Sequence, residues 1–159
     1  MRKIIGFHNP DESYGYLSNW YLSDFIIDGH TFCSMEQYMM YQKAILFEDT
    51  TIAEQILQTN NQGKIKMLGR SVHKYDEIIW SGMRQIIVYK GLLAKFQQNE
   101  DLRQKLCHTE DAILAECAVQ DRIWGIGLSM QDENRFHMTK WRGQNLLGFA
   151  LMQVRNDLS

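Results

Sequence analysis

The sequence predicts an α+β fold, helix-rich, with a small β-sheet. Short apolar runs at Ile4–Phe7, Phe25–Ile27 and Ile113–Cys117 have the length of strands rather than helices. Most of the rest carries helical periodicity, and the helical stretches open on Ser, Asp or Asn at capping positions. A chain of 159 residues with one proline, Pro10, and no repeat or low-complexity stretch fits a single domain over residues 1–159.

Taken in order, Ile4–Phe7 is a short strand, Asn9-Pro10-Asp11 a turn, and Tyr14–Trp20 an aromatic loop that holds Ser18 and Asn19. Phe25–Ile27 enters a hairpin at Asp28-Gly29 and His30–Phe32 returns, because Asp-Gly suits a tight two-residue turn. Ser34 caps a first helix running to about Phe47, with Glu36 and Gln37 in its first turn. Asp49-Thr50 caps a second, Ile52–Gln58. Asn60-Asn61 opens a third through Leu68, ending near Gly69. Asp76 caps the longest helix, to about Phe96. Its apolar set Ile79, Met83, Ile86, Ile87 and Leu93 marks it as the central core helix. Glu100–Cys107 is helical, Ile113–Cys117 a strand, Asp121–Gly127 a glycine-bearing loop, and a last helix spans about Asn145 to Asp157.

Composition narrows the function classes. Net charge is −2 with a pI near 6.2, which gives no global attraction to duplex nucleic acid or anionic membrane. No apolar run approaches the length of a membrane span, and the N-terminus reaches Asp11-Glu12 without a signal-peptide core, so a cytoplasmic location is expected. Cys33, Cys107 and Cys117 form no CxxC pair and are expected as reduced thiols. His8, His30, His73, His108 and His137 show neither HxxxH nor HExxH spacing, and no metal or cofactor is expected.

The first helix carries charges where a core face should be. On a wheel at about 100° per residue, Met35, Met39 and Leu46 share one side, with Met40 and Phe47 a little further round. Glu36 and Lys43 fall between them, about 20° apart and about 10 Å apart along the axis. Glu and Lys are rarely buried unless paired, and this spacing exceeds that of an ordinary helical ion pair. The two tips flank a space that a small substrate can occupy, or each pairs with a different helix in a structural network. The wheel leaves both open.

Other segments carry the same ambiguity. Glu116, Asp121 and Trp124 surround a strand-to-loop junction with Gly125 and Gly127, either a ligand-approaching loop or a turn that needs its glycines. Arg70 and Lys74 lie near Lys64 and Lys66, a phosphate site or a solvated basic face. Asn145 either caps the last helix or presents its amide to a ligand, and Ser18-Asn19 poses the same choice. No P-loop, GxSxG or Cys-His pattern is present.

In this order, Ser18-Asn19, Phe32-Cys-Ser-Met-Glu36-Gln-Tyr38, Gln42-Lys43-Ala44, Leu68-Gly69-Arg70, Trp80, Ala94-Lys95-Phe96, Glu116, Asp121-Arg-Ile-Trp124-Gly125 and Gly143-Gln-Asn145-Leu-Leu-Gly148 resemble the NADAR, or YbiA-like, family from about Phe7 to Leu158. Trp20 departs from it, standing where phenylalanine is common. The resemblance implies hydrolysis of N-glycosidic bonds. One branch cleaves 5-amino-6-ribosylaminopyrimidine phosphates, early intermediates of riboflavin biosynthesis, in a damage-control role. Another removes ADP-ribose from guanine in nucleic acid.

The short chain resembles the first branch. Its expected partner is a small ribosylated pyrimidine phosphate, with nucleic acid only as an ADP-ribosylated substrate and no membrane. The resemblance implies Lys43 as nucleophile and Glu36 as acid/base, with Asp121 in the catalytic set. It places Trp80 and Trp124 at the base, Asp121, Glu116 and Asn145 at ribose hydroxyls, and Arg70 or Lys95 at the phosphate. Ser18, Asn19 and Gly125 complete the expected binding set. A non-catalytic ADP-ribose or nucleotide sensor is the remaining alternative, against which stands the retention of both Glu36 and Lys43 in an apolar arc.

Overall fold

The N-terminal strand β1, Ile4–Phe7, pairs in parallel with β4, Ile113–Glu116, in the register Ile4 with Ile113 through Phe7 with Glu116. The computed structural model describes all 159 residues, which form an α+β fold of six α-helices and two separate two-stranded sheets. The chain gathers into two compact units, Met1–Tyr21 with Glu100–Ser159, and Leu22–Asn99. No helix is long and apolar enough to cross a membrane.

In the first unit, β1 and β4 lie against a core that includes Ala115, Cys117, Ile126 and Leu128, with Ile4, Met130 and Trp141 packed on it. Gly15–Leu17 forms a 3₁₀ turn inside the expected aromatic loop. Helix α5 is Glu100–Cys107 and α6 is Leu146–Leu158, both close to expectation. Two further 3₁₀ turns, Glu133–Phe136 and Met138–Lys140, were not expected; Asp132 caps the first through its Oδ1 and the Asn134 N–H.

In the second unit, β2 (Phe25–Ile27) and β3 (His30–Phe32) form an antiparallel hairpin. Asp28 and Gly29 both have positive φ, 51° and 81°, as a two-residue turn of matching twist requires. Helix α1, Met35–Leu46, starts where Ser34 Oγ accepts from the Gln37 N–H. Helix α2, Thr50–Leu57, is capped by Asp49, and α3, Gln62–Arg70, by Asn61. The helix ends at Arg70, one residue past the expected stop near Gly69. Gly69 stays helical because Met40 occupies the place of its missing side chain, with Sδ 2.0 Å from a notional Cβ.

Helix α4, Glu77–Gln98, is the longest, capped by Asp76 as the sequence predicts. Its buried face is not the predicted one. Ile79, Met83 and Ile86 are 50%, 37% and 62% exposed, and only Ile87 of the buried residues belonged to the expected set. Trp80, Arg84, Ile87, Val88, Gly91, Leu92, Lys95 and Phe96 are buried instead. Both faces keep the helical period; Arg84 and Lys95 disguise the inner one by putting charges on it.

Candidate active site

Helix α1 buries Met35, Glu36, Met39 and Met40, so the apolar arc read from the wheel faces inward and takes Glu36 with it. Glu36 is 6% exposed, and Lys43 is half-buried. The Lys43 Nζ lies 4.5 Å from the centre of the Tyr75 ring and 5.8 Å from that of Trp80. Burial lowers the proton affinity of Lys43; the charges of Glu77 and, after it, Glu36 oppose this, and Arg70 adds to the lowering. The seven-residue pair is therefore one part of a larger cluster, in which Glu77 of α4 acts on Lys43 more strongly than Glu36 does.

Glu77 is held from several sides. Its Oε1 accepts from Ser81 Oγ at 3.0 Å, its Oε2 accepts from the Tyr75 hydroxyl, and Arg84 Nη1 lies 3.7 Å from Oε1. The Tyr75 and Ser81 hydrogen bonds hold its carboxyl below the usual range, while burial and the same Glu77 contact push the Tyr75 phenol up to about 12. Tyr75 thus places its ring over Lys43 and its hydroxyl on Glu77. Tyr75, Glu77, Ser81 and Arg84 were missed by the sequence reading. Their signal was modest: Glu77, Ser81 and Arg84 recur at helical spacing on the Trp80 side of α4, and Tyr75 precedes its cap.

Of the other expected residues in this unit, Trp80 is buried beside Lys43 and Arg70 ends α3 in an exposed position. Lys95 is 0% exposed, and burial lowers its ammonium to about 7. Its amine is enclosed in protein.

The first unit holds the remaining expected residues. Asp121 Oδ1 accepts from the N–H groups of Ile123 and Trp124 at 3.0 and 2.8 Å, closing the turn that carries Trp124. Gly125 is buried where a Cβ would meet the carbonyl oxygens of Asp121 and Glu116 at 2.8 and 2.9 Å, so the loop requires glycine there. Asn145 is wholly buried, with φ 54°; its Oδ1 accepts from Glu116 N and its Nδ2 donates to the Leu114 carbonyl. The amide fastens β4 to the start of α6. It is not turned to a ribose, and it does not cap α6 through a side-chain hydrogen bond.

Glu116 Oε1 lies 3.7 Å from His8 Nδ1, and its buried Oε2 has no partner. Burial raises the Glu116 carboxyl, and its hydrogen bond raises His8. Ser18 and Asn19 are both buried. Ser18 Oγ accepts from the Trp20 N–H at 3.2 Å, while Asn19 Oδ1 is a buried acceptor without a partner. His8 was not foreseen, its loop matching no motif.

Comparison with known proteins places these residues in context. The model of the NADAR domain matches residues 6–159. The chain is 37% identical over 163 residues to "N-glycosidase R617" of Acanthamoeba polyphaga mimivirus, covering 98% of this chain and 96% of that protein. It is 30% identical to the "Riboflavin biosynthesis protein VVA0006" of Vibrio vulnificus, over 99% of this chain but 39% of that longer protein. The NMR structure of the Escherichia coli protein YbiA is similar with a TM-score of 0.82 and 30% identity, covering 99% of this chain and 86% of that one.

Proposed function

The chain belongs to the NADAR family, and from that premise we propose that residues 1–159 act as one domain that hydrolyses the ribosyl C–N bond of 5-amino-6-ribosylaminopyrimidine phosphates. This makes it a hydrolase acting on N-glycosyl compounds, the class carried in the names of its relatives. The likeness to a riboflavin biosynthesis protein supports the pyrimidine substrate, and the role is removal of reactive intermediates in the cytoplasm.

One observation carries the mechanism: a half-buried lysine whose amine lies against two aromatic rings and whose proton affinity burial lowers. Such an amine gives up its proton more readily than an exposed lysine and is then nucleophilic. Lys43 passes a proton to Glu36, and its free electron pair forms a bond to C1′ of the ribose. The C1′–N bond to the pyrimidine breaks, its electron pair leaving on the nitrogen, which takes the proton from Glu36. The ribosyl-lysine opens as C1′–O4′ breaks and O4′ takes the proton of the lysine nitrogen, leaving a Schiff base. Water then adds at C1′, releasing ribose 5-phosphate and restoring the amine. Trp80, beside Lys43, serves the base.

The test is a side-by-side hydrolysis assay on the pyrimidine intermediate and on an ADP-ribosylated guanine oligonucleotide. Ribose 5-phosphate release from the first, lost in Lys43→Ala and Glu36→Gln, and a borohydride-trapped adduct on Lys43 are expected. Full activity of Lys43→Ala sinks the Schiff-base route. Turnover of the oligonucleotide alone moves the chain to the guanine branch, and thermal stabilisation by ADP-ribose without any product makes it a sensor.

A further inference from the structure

Arg84 is one of three charged groups around Lys43, with Glu77 and Arg70, that the proposed mechanism does not use. It follows Trp80 by four residues on α4, so both project from one helix face, and Arg84 is 9% exposed. Its Nη1 reaches only to 3.7 Å from Glu77 Oε1, beyond hydrogen-bond length, and its buried Nε donates to nothing. A guanidinium carries five N–H donors in a rigid plane and remains charged, so a buried one ordinarily has acceptors arranged around it. Glu77 is the natural bidentate partner. Its oxygens, however, are held by Ser81 and Tyr75, and it meets Arg84 only at long range.

We infer that Arg84 is the anion-recognition residue of this site, its guanidinium taking the phosphate oxygens of a ribosyl phosphate bound beside Lys43. The inference rests on the Lys43 cluster being the N-glycoside site. Tyr75 and Glu77 link the two cations: the Tyr75 ring lies 4.5 Å from the Lys43 amine, its hydroxyl binds Glu77, and Glu77 faces Arg84. A phosphate oxygen supplies the close acceptor that Nη1, 3.7 Å from Glu77, does not have, with the forked geometry that arginine offers and lysine does not. Arg70, close enough to act on the charge of Lys43, adds a second positive group from α3. Glu77 is the resident competitor, since an entering anion must share Arg84 with it or displace it.

The experiment is calorimetric titration of ribose 5-phosphate into the wild type, Arg84→Lys, Arg84→Ala and Glu77→Gln, with a thermal melt of each as a fold control. Wild type is expected to bind, and Arg84→Ala to weaken binding roughly ten- to a hundredfold, the loss of one or two charge-assisted hydrogen bonds. Arg84→Lys falls between, which keeps the test decisive if the alanine variant does not fold. Glu77→Gln tightens binding by removing the competing charge, an effect that a merely structural Arg84 does not predict. The inference is overturned if wild type binds no ribose 5-phosphate, if a folded Arg84 variant binds it as wild type does, or if Glu77→Gln weakens it as Arg84→Ala does. Because binding needs no turnover, a wild type that binds through Arg84 yet hydrolyses no N-glycoside rejects the proposed activity and keeps the anion site. Hydrolysis with a KM untouched by Arg84→Lys does the reverse.

Discussion

Asn145→Ala is the perturbation that separates a fastening role from a ligand-binding one. The side chain is 0% exposed, accepts from Glu116 N at 3.0 Å and donates to the Leu114 carbonyl at 2.8 Å, and its backbone is left-handed at φ 54°. Truncation removes both bonds inside the protein, where each backbone group deprived of its partner costs about 1–3 kcal/mol. Alanine also tolerates the left-handed region less well than asparagine, by up to about 1 kcal/mol. The sum is about 2–7 kcal/mol. At roughly 2–4 °C per kcal/mol for a chain of this size, Tm falls by about 4–28 °C. Asn145→Gly deletes the same bonds but accepts the φ, so it should lose somewhat less. Gly148→Ala should open the same fastening from its other side, because a Cβ there would stand 2.1 Å from the Leu114 oxygen and 2.5 Å from Asn145 Nδ2. Urea denaturation and thermal melts of the four proteins, run beside kcat/KM, decide the matter. If Asn145→Ala melts within a degree or two of wild type while kcat/KM collapses, the amide is aimed at substrate and the structural account is wrong.

Three further outcomes follow from the same geometry. Glu77→Gln should move the acidic limb of the kcat/KM profile to lower pH: Lys43 reacts as the neutral amine, and Glu77 is the charge that most favours its protonated form. A limb that stays in place or rises across a pH series refutes this. Lys95 should make stability rise with pH from about 7 toward its ordinary value of 10.5, because over that window the unfolded chain holds a proton that the folded chain releases. Lys95→Met should flatten that slope in urea titrations at several pH values and add stability, on the order of a few kcal/mol, below the window; an unchanged slope counts against a buried neutral amine. Gly91→Ala should destabilise by about 1–3 kcal/mol through overpacking, since its Cβ would sit 2.5 Å from the Tyr38 ring and 2.8 Å from Met35 Cε; a neutral melt would mean that this contact relaxes freely.

The elements were legible because their ends are written in local chemistry. Ser34, Asp49, Asn61 and Asp76 each accept a backbone N–H two or three residues on, and each marked a helix start from sequence. Asp28-Gly29 marked the hairpin for the same kind of reason. What local chemistry does not carry is pairing between distant segments. Nothing in Ile4–Phe7 or Ile113–Glu116 alone announces that they lie parallel, or that the expected small sheet is two ribbons. Gly69 marked the end of α3 to within one residue, but the close approach of Met40 that also calls for glycine there was not legible.

The site was legible only where its charges sat on one helix. The wheel could place Glu36 against Lys43, because both are fixed by the geometry of α1, but the environment of Lys43 is assembled from more than that helix. Tyr75 and Trp80 line its amine, Glu77 opposes its loss of a proton, and Arg70 favours it, from α3, α4 and the turn between. Hydrophobic patterning pointed away from this, since it took Ile79, Met83 and Ile86 as core, and they are exposed. That inversion is itself informative. The inner face of α4 packs Trp80, Ile87, Val88, Leu92 and Phe96 and also encloses an arginine and a lysine, and enclosing charge costs stability unless a partner or a reaction compensates. Lys95 meets the cost by lowering its proton affinity. Arg84 has no such recourse, being unable to neutralise itself, and its buried Nε is a donor that the folded chain leaves without an acceptor.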